Sequence, residues 1–392
     1  MSELKVTLIG ALLIAVGPVS LSLYTPALPE LVAYFGTTEV LVQLSVTTYF
    51  LGFALAQLIC GPLSDGLGRR PVIIGFMAVY ISACVAILLS HSITLLLAAR
   101  TLQGIGAAVG LAIARAIVRD VYSDARAFKI MNLMGVFIAL APAIAPTIGG
   151  LTLMAGPWQI LFALMALMGV AVILVTVFSL RETVVRDVSR IRPKALLQSY
   201  RILLTAPYFM LASLVVACSL GSIYALATLL PFILMNQVGL SPVSFGMSQI
   251  LQAGSFVLGA ITVQNLLPRV NANALVPFGL MLLMGSSITL MSLLLKTAPT
   301  FLNVMLPIAV FSYGVAFILP SMLTNSLLPY PHRAGAASAL TAFLQMAMGL
   351  CISGLASLFS NPTFGLALLF PTMATIATTC WLAWRRLPVP AS

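Results

Sequence analysis

Gly61-Pro62-Leu63-Ser64-Asp65-Gly66-Leu67-Gly68-Arg69-Arg70-Pro71 places one carboxylate and two guanidinium groups within a single short stretch. On either side the chain is apolar for about the 20 residues a helix needs to cross a bilayer, over 40–62 before it and 72–90 after it. Charge this dense between runs this apolar reads as a loop at a membrane surface, with the glycines allowing a tight turn. The pattern continues outward in both directions. Apolar runs are expected as spans at 6–28, 40–62, 72–90, 94–118, 128–155, 158–180, 208–235, 242–266, 273–295, 301–325, 334–358 and 363–384. Composition leads to the same place: 61% of the 392 residues are hydrophobic and 7% are charged, whereas a water-soluble domain carries about 25% charged residues. The fold class is therefore an all-α membrane protein with twelve transmembrane helices. The N-terminus, Met1-Ser2-Glu3-Leu4-Lys5, enters its apolar run without an A-x-A-like cleavage site, so it reads as helix one and not as a removed signal.

Charge sets the orientation. Connections from odd to even spans hold Glu30 and Glu39 and no Lys or Arg until Lys296, whereas the even-to-odd connections hold Arg69, Arg70, Arg181, Arg186, Arg190, Arg192, Lys194, Arg201, Arg269 and Arg333. Lys and Arg accumulate on the cytoplasmic side, which puts both termini in the cytoplasm. The one long polar stretch, 181–206, splits the chain near its middle. The expected organisation is an N-terminal six-helix bundle over 1–180, a cytoplasmic linker over 181–206 and a C-terminal six-helix bundle over 207–392, the two-half layout of transporters. A net charge of +11 invites a nucleic-acid reading, but the basic residues stand at helix ends and form no soluble patch. Cys60, Cys84, Cys218, Cys351 and Cys380 are scattered singly in apolar runs, read as small buried hydrophobes, with no metal or disulfide pattern. No cofactor is implied.

The stretch 61–71 resembles the G-x-L-x-D-x-x-G-R-R/K signature of the major facilitator superfamily, through Gly61, Asp65, Gly68, Arg69 and Arg70. The resemblance implies that Asp65 meets the positive end of helix eleven, here starting near Ala334, and that this contact gates the cytoplasmic side. In helix five, Ala141 to Gly150 is similar to the G-x-x-x-G-P-x-x-G-G antiporter signature, through Pro142, Pro146, Gly149 and Gly150 and with alanine at two glycine positions; it implies export. Helix four carries Arg100-Thr101-Leu102-Gln103-Gly104, which resembles the R-x-x-Q-G motif and implies a part for Arg100 in proton coupling. The alternative is an arginine snorkelling to the periplasmic interface. With Tyr24-Thr25-Pro26 in helix one and Arg115 to Tyr122 closing helix four, the whole chain looks like the bicyclomycin and chloramphenicol resistance branch of drug:proton antiporters.

One departure bears on coupling. Many members of that branch carry an Asp where this chain has Ser22, and none of the eight acidic residues lies deep in a predicted span. The coupling candidates left beside Arg100 are Glu30 and Asp120; the plainer readings are a solvated Glu30 and an Asp120 paired with Arg69, Arg70 or Arg119. A cavity between the halves would be lined by polar and aromatic residues inside spans. The candidates are Tyr24, Gln43, Thr47, Tyr49, Arg115 and Asn132 in the first half and Tyr224, Gln249, Gln252, Tyr313, Asn325 and Gln345 in the second. Arg115, with no acid in its span, either receives an anionic or electronegative group or snorkels to the cytoplasmic interface.

The expected function is secondary export of small amphipathic compounds, antibiotics such as amphenicols among them, in exchange for protons by alternating access. The alternative is export of an endogenous metabolite, siderophore or sugar on the same scaffold, with or without proton coupling. A membrane-embedded enzyme would need clustered His, Asp or Glu within spans, and there are none. The expected setting is the bacterial inner membrane, as a monomer among lipids, with protons and a small molecule as partners and no nucleic acid.

Overall fold

The computed structural model describes residues 3–122, 125–191 and 193–388 and is all-helical. It divides into two compact units, Met1–Lys194 and Ala195–Ser392. The first contains α1 (Glu3–Ser22), α2 (Leu28–Tyr34), α3 (Glu39–Leu67), α4 (Arg69–Leu88), α5 (Ile93–Ala107), α6 (Val109–Val121), α7 (Ala125–Ala155) and α8 (Gln159–Ser179). A short α9 (Pro193–Leu204) crosses the boundary, and α10 (Pro207–Pro231), α11 (Pro242–Leu266), α12 (Ala272–Lys296), α13 (Phe301–Leu327), α14 (Ala334–Ala356) and α15 (Pro362–Trp384) form the second. Eleven helical segments among the described residues are long and apolar enough to cross a membrane. The twelfth is α7, whose described apolar part is Leu140–Ala155.

Local sequence explains where helices start. Thr38, Ser92, Ser241, Asn271, Thr300 and Asn361 each accept a backbone N–H with their side chains at a helix N-terminus. Each satisfies one of the donors a first turn leaves open. Prolines at the first position of α10, α11 and α15 add a pre-set φ where no N–H is missed.

Within each unit the helices pack in the same pattern. In the first, α1 lies against α6, α7 and α8, α3 against α5, and α4 against α5 and α8. In the second, α10 lies against α13, α14 and α15, α11 against α13, and α12 against α13 and α15. The α5–α6 pair of unit one thus corresponds to α13 of unit two. Glycines set the closest approaches. A Cβ on Gly104 would run into the Tyr49 carbonyl, and one on Gly149 into the carbonyl of Leu23, so α5 and α7 touch the backbones of their neighbours.

Four expectations are corrected. Gly61 to Leu67 is not a turn: α3 runs through it, Pro62 included. Only Gly68, with φ of 99°, separates α3 from α4. Span one is interrupted, because Pro26 and Pro29 supply no N–H and the chain passes through a 3-10 turn, Thr25–Ala27, before α2. Span four is divided at Ala108, where Gln57 Nε2 donates to the Ala108 carbonyl at 3.3 Å and so takes part in the local backbone bonding. The polar middle segment includes a 3-10 turn, Val188–Arg190, and all of α9. As for the cysteines, Cys60, Cys84 and Cys218 are buried as expected, but Cys351 is exposed and Cys380 half-buried.

Candidate functional site

Two clusters in unit one gather most of its charged and polar candidates. The first lies where α3 meets α4. Asp65 and Arg69 sit four residues apart across the one-residue joint, and Arg69 Nη1 donates to Asp65 Oδ1 at 2.5 Å. The same guanidinium donates through Nε to Asp120 Oδ2 at 2.9 Å and through Nη1 to Ser64 Oγ at 2.6 Å. The Arg69 side chain is 6% exposed, Asp120 19% and Asp65 54%. Arg69 is therefore the buried centre, Asp120 an inner partner on α6 and Asp65 an outer one facing solvent. Of the partners considered for Asp120, it takes Arg69.

Residues after α8 complete this cluster. Glu182 accepts the backbone N–H of Arg69 at 2.8 Å and of Arg70 at 3.0 Å, capping α4 from a remote segment. Its Oε1 also accepts Thr183 N at 3.0 Å. Thr183 Oγ1 donates to Asp120 Oδ2 at 2.8 Å, and Arg70 Nη2 donates to the Val177 carbonyl at 2.8 Å. Asp187 N donates to the Gly66 carbonyl at 2.9 Å, while a Cβ on Gly66 would strike the Ile191 side chain. A Cβ on Gly68 would meet the Glu182 carboxylate, so Gly66 and Gly68 are both explained by the segment that closes over them. Glu182 and Thr183 were not singled out from sequence, although acids set among Arg181, Arg186 and Arg190 were a usable signal.

The second cluster surrounds Arg100, which is 0% exposed. Its guanidinium carbon lies 4.3 Å from the centroid of the Tyr24 ring and 4.4 Å from that of Tyr49. Nη1 donates to Gln103 Oε1 at 2.5 Å and to the Ser20 carbonyl at 3.3 Å, and Nε donates to the Ser45 carbonyl at 3.3 Å. Nη2 has no partner. Both rings are pinned in turn: Tyr24 OH shares a hydrogen bond with Ser45 Oγ at 2.5 Å, and Tyr49 OH donates to the Gly17 carbonyl at 3.0 Å. Contact between Gly104 and the Tyr49 backbone brings α5 close enough to α3 for this stacking. The snorkelling alternative for Arg100 is overturned, because its side chain is sealed inside the bundle and reaches no interface. A charge is costly there; here two aromatic faces and neutral acceptors hold it, with cation–π contacts worth about 2 kcal/mol when desolvated.

This burial also corrects the expectation for Tyr24, Gln43 and Tyr49. None presents surface to a ligand in this structure: Tyr24 is 0% exposed, and Gln43 and Tyr49 are 1% exposed. Arg115 on α6 is exposed, and Glu30 is exposed in the first turn of α2. The side chain of Asn132 lies outside the described residues. In unit two, Tyr313 OH donates to Thr262 Oγ1 at 3.1 Å, and Asn325 Nδ2 donates to Asn273 Oδ1 at 2.7 Å. Gln249 is buried beside Ser248, whereas Tyr224, Gln252 and Gln345 are half-buried. Pro142, Pro146, Gly149 and Gly150 lie inside α7, where Gly149 meets Leu23 and Pro26 just after α1. Among the described residues no His, Cys, Asp or Glu group is arranged to hold a metal ion.

The family profile of the Major Facilitator Superfamily matches residues 10–354. The chain belongs to this superfamily. It is a multi-pass membrane transporter of the major facilitator fold. It is 30% identical over 358 residues to an uncharacterized MFS-type transporter, YdgK, of Bacillus subtilis, covering 89% of this chain and 87% of that one. It is 28% identical over 387 residues to Multidrug resistance protein D of Escherichia coli, covering 97% and 95%. The crystal structure of a D-xylose-proton symporter superposes with a TM-score of 0.78 at 12% identity over 99% of both chains, a likeness of fold alone.

Proposed function

We propose that this major facilitator is a secondary exporter of small amphipathic compounds, antibiotics such as amphenicols among them, exchanging them for protons by alternating access. We assign it to the bicyclomycin and chloramphenicol resistance branch, acting as a monomer in the bacterial inner membrane. The observation that carries the reading is the end-to-end match to a multidrug resistance protein, 28% identical over 97% of this chain. The helix-five motif, with Pro146, Gly149 and Gly150 in place, supports export over import. By the distribution of Lys and Arg, the end bearing Arg69, Arg70 and Arg181 is cytoplasmic, as are both termini. Asp65, Arg69 and Asp120 then form a cytoplasmic latch whose ion pairs are remade during the cycle, and Glu30, Asp120 and Arg100 are the residues to test for coupling.

The test uses everted vesicles containing the protein, a pH-sensitive dye and a panel of amphenicols, quinolones and organic cations. A compound that discharges the proton gradient only when the protein is present supports proton-coupled export. Silence across the panel, with no protein-dependent movement of any radiolabelled member, overturns it.

A second reading, export of an endogenous metabolite, siderophore or sugar without proton exchange, is favoured by one observation. Ser22 stands where many members of the branch carry a carboxylate, and Asp120 is already engaged by Arg69. Radiolabelled substrate moving while the dye stays silent would select this reading.

A further inference from the structure

We infer that the transported molecule is neutral or anionic, and that Arg115 is the side chain that meets its electronegative group. This rests on the export reading above and names the substrate class for it.

The inference begins with where carboxylates are absent. All eight acidic residues lie in unit one, and unit two, with six Lys and Arg, has no Asp or Glu at all. Within unit one the described acids are at helix ends or occupied. Glu3, Glu30 and Glu39 stand in the first turns of α1, α2 and α3. Asp65 and Asp120 hold Arg69, Glu182 caps α4, and Asp187 accepts from Ser189 in its own turn. No described carboxylate stands midway along a span, where it could accept a cationic substrate.

Positive charge, by contrast, is present inside the spans. Arg100 is fixed and sealed, held only by neutral oxygens and ring faces. No described carboxylate touches it to cancel its field. Arg115 is the second charge. It lies six residues before the end of α6 at Val121, which is about 9 Å inside that end at 1.5 Å per residue. Its side chain is exposed, and it makes no hydrogen bond or ion pair with any described residue. The Cα–Cβ bond of a helical residue leans toward the helix N-terminus. For Arg115 that direction leads deeper into the span and away from Val121, which argues against snorkelling. An exposed guanidinium at that depth faces water and not lipid, because charges within spans face a bundle interior or an aqueous cavity. Five N–H donors in a planar fork, without partners among the described residues, suit a carboxylate or a comparably electronegative group.

A single unit charge about 10 Å away at an effective dielectric near 20 shifts binding by about tenfold in favour of the opposite sign. The experiment reconstitutes the full chain in liposomes and compares three compounds on one scaffold: neutral chloramphenicol, its anionic succinate monoester and its cationic deacylated amine. Expected initial rates for the neutral and anionic compounds exceed that of the amine by about tenfold or more. Arg115→Glu reverses the order of the two charged compounds and slows the neutral one less than it slows the anion, whereas Arg115→Lys keeps the wild-type order. A purely structural role for Arg115 would lower all three rates together. If the neutral compound moves and the amine moves as fast as the anion, or if Arg115→Glu leaves the order unchanged, this inference falls alone. If nothing of any charge moves, the export reading falls and takes the inference with it.

Discussion

The helix pair α5–α6 of unit one and α13 of unit two hold the same place in the same packing pattern, yet they carry opposite chemistry. The first bears Arg100, Gln103 and Arg115; the second bears Tyr313, Ser321 and Asn325 and no charge. Around α13 the polar contacts are hydroxyl and amide pairs such as Tyr313 to Thr262 and Asn325 to Asn273. Around α5 they converge on a buried cation. Equivalent backbones therefore do not imply equivalent roles. Unit two uses polar groups as local pairs, each replaceable at small cost, whereas in unit one a single side chain ties α1, α3 and α5 together through Ser20, Tyr24, Ser45 and Tyr49.

The contrast is breakable by mutation, and the largest effect is expected at its charged centre. Arg100→Ala strands Gln103 and two backbone carbonyls, at about 1–3 kcal/mol for each buried acceptor left unmet, and removes the cation from between two rings. Thermal unfolding in detergent should show a large drop, and transport should vanish; an unchanged melting temperature would mean the clamp holds no structure. Next comes the latch. Asp120→Asn weakens a charge-assisted bond worth about 1.5–3 kcal/mol and should cut transport by about tenfold or more with expression intact. Asp65→Asn, at the more exposed partner, should impair transport less, and wild-type rates in both variants would remove the latch from the cycle. Glu182→Ala deletes the remote cap of α4 and should cost about 1 kcal/mol, read as a modest fall in melting temperature. The smallest effect belongs to unit two, where Thr262→Val removes the neutral hydrogen bond from Tyr313 OH and a local one to the Leu258 carbonyl and should cost about 0.5–1.5 kcal/mol. Were Thr262→Val to rival Arg100→Ala, the contrast between the units would be wrong.

The spans were legible because bilayer thickness converts directly into lengths of apolar sequence, and α14 starts at Ala334 where the sequence put it. Gly61 to Gly66 was misread as a turn because glycine, proline and charge together are ordinary loop signals. What keeps it helical is tertiary: Ile191 packs on Gly66, Asp187 N–H binds the Gly66 carbonyl, and Arg69 grips Ser64 and Asp65. The motif residues around Arg69 could be named from spacing, but Glu182 lies 113 positions from Arg69, beyond any local pattern. Arg100 was marked as unusual by being charged in an apolar run. That two tyrosines, one just after α1 and one in α3, enclose it depends on helix contacts made by Gly104 and Gly149, and no property of Tyr24 or Tyr49 taken alone announces it. The same enclosure is why those tyrosines looked like ligand contacts and are not exposed as such.

Gly68 is the whole connection between a helix of 29 residues and one of 20. A joint of one residue stores a rotational phase. Each residue of an α-helix advances about 100° around the axis, so one residue inserted after Gly68 would turn every side chain of α4 by that angle relative to α3. Arg69 would point away from Asp65 and Asp120, while the apolar length of α4 stayed the same. Length, which decides whether α4 spans, tolerates such an insertion; phase, which decides whether the latch can close, does not.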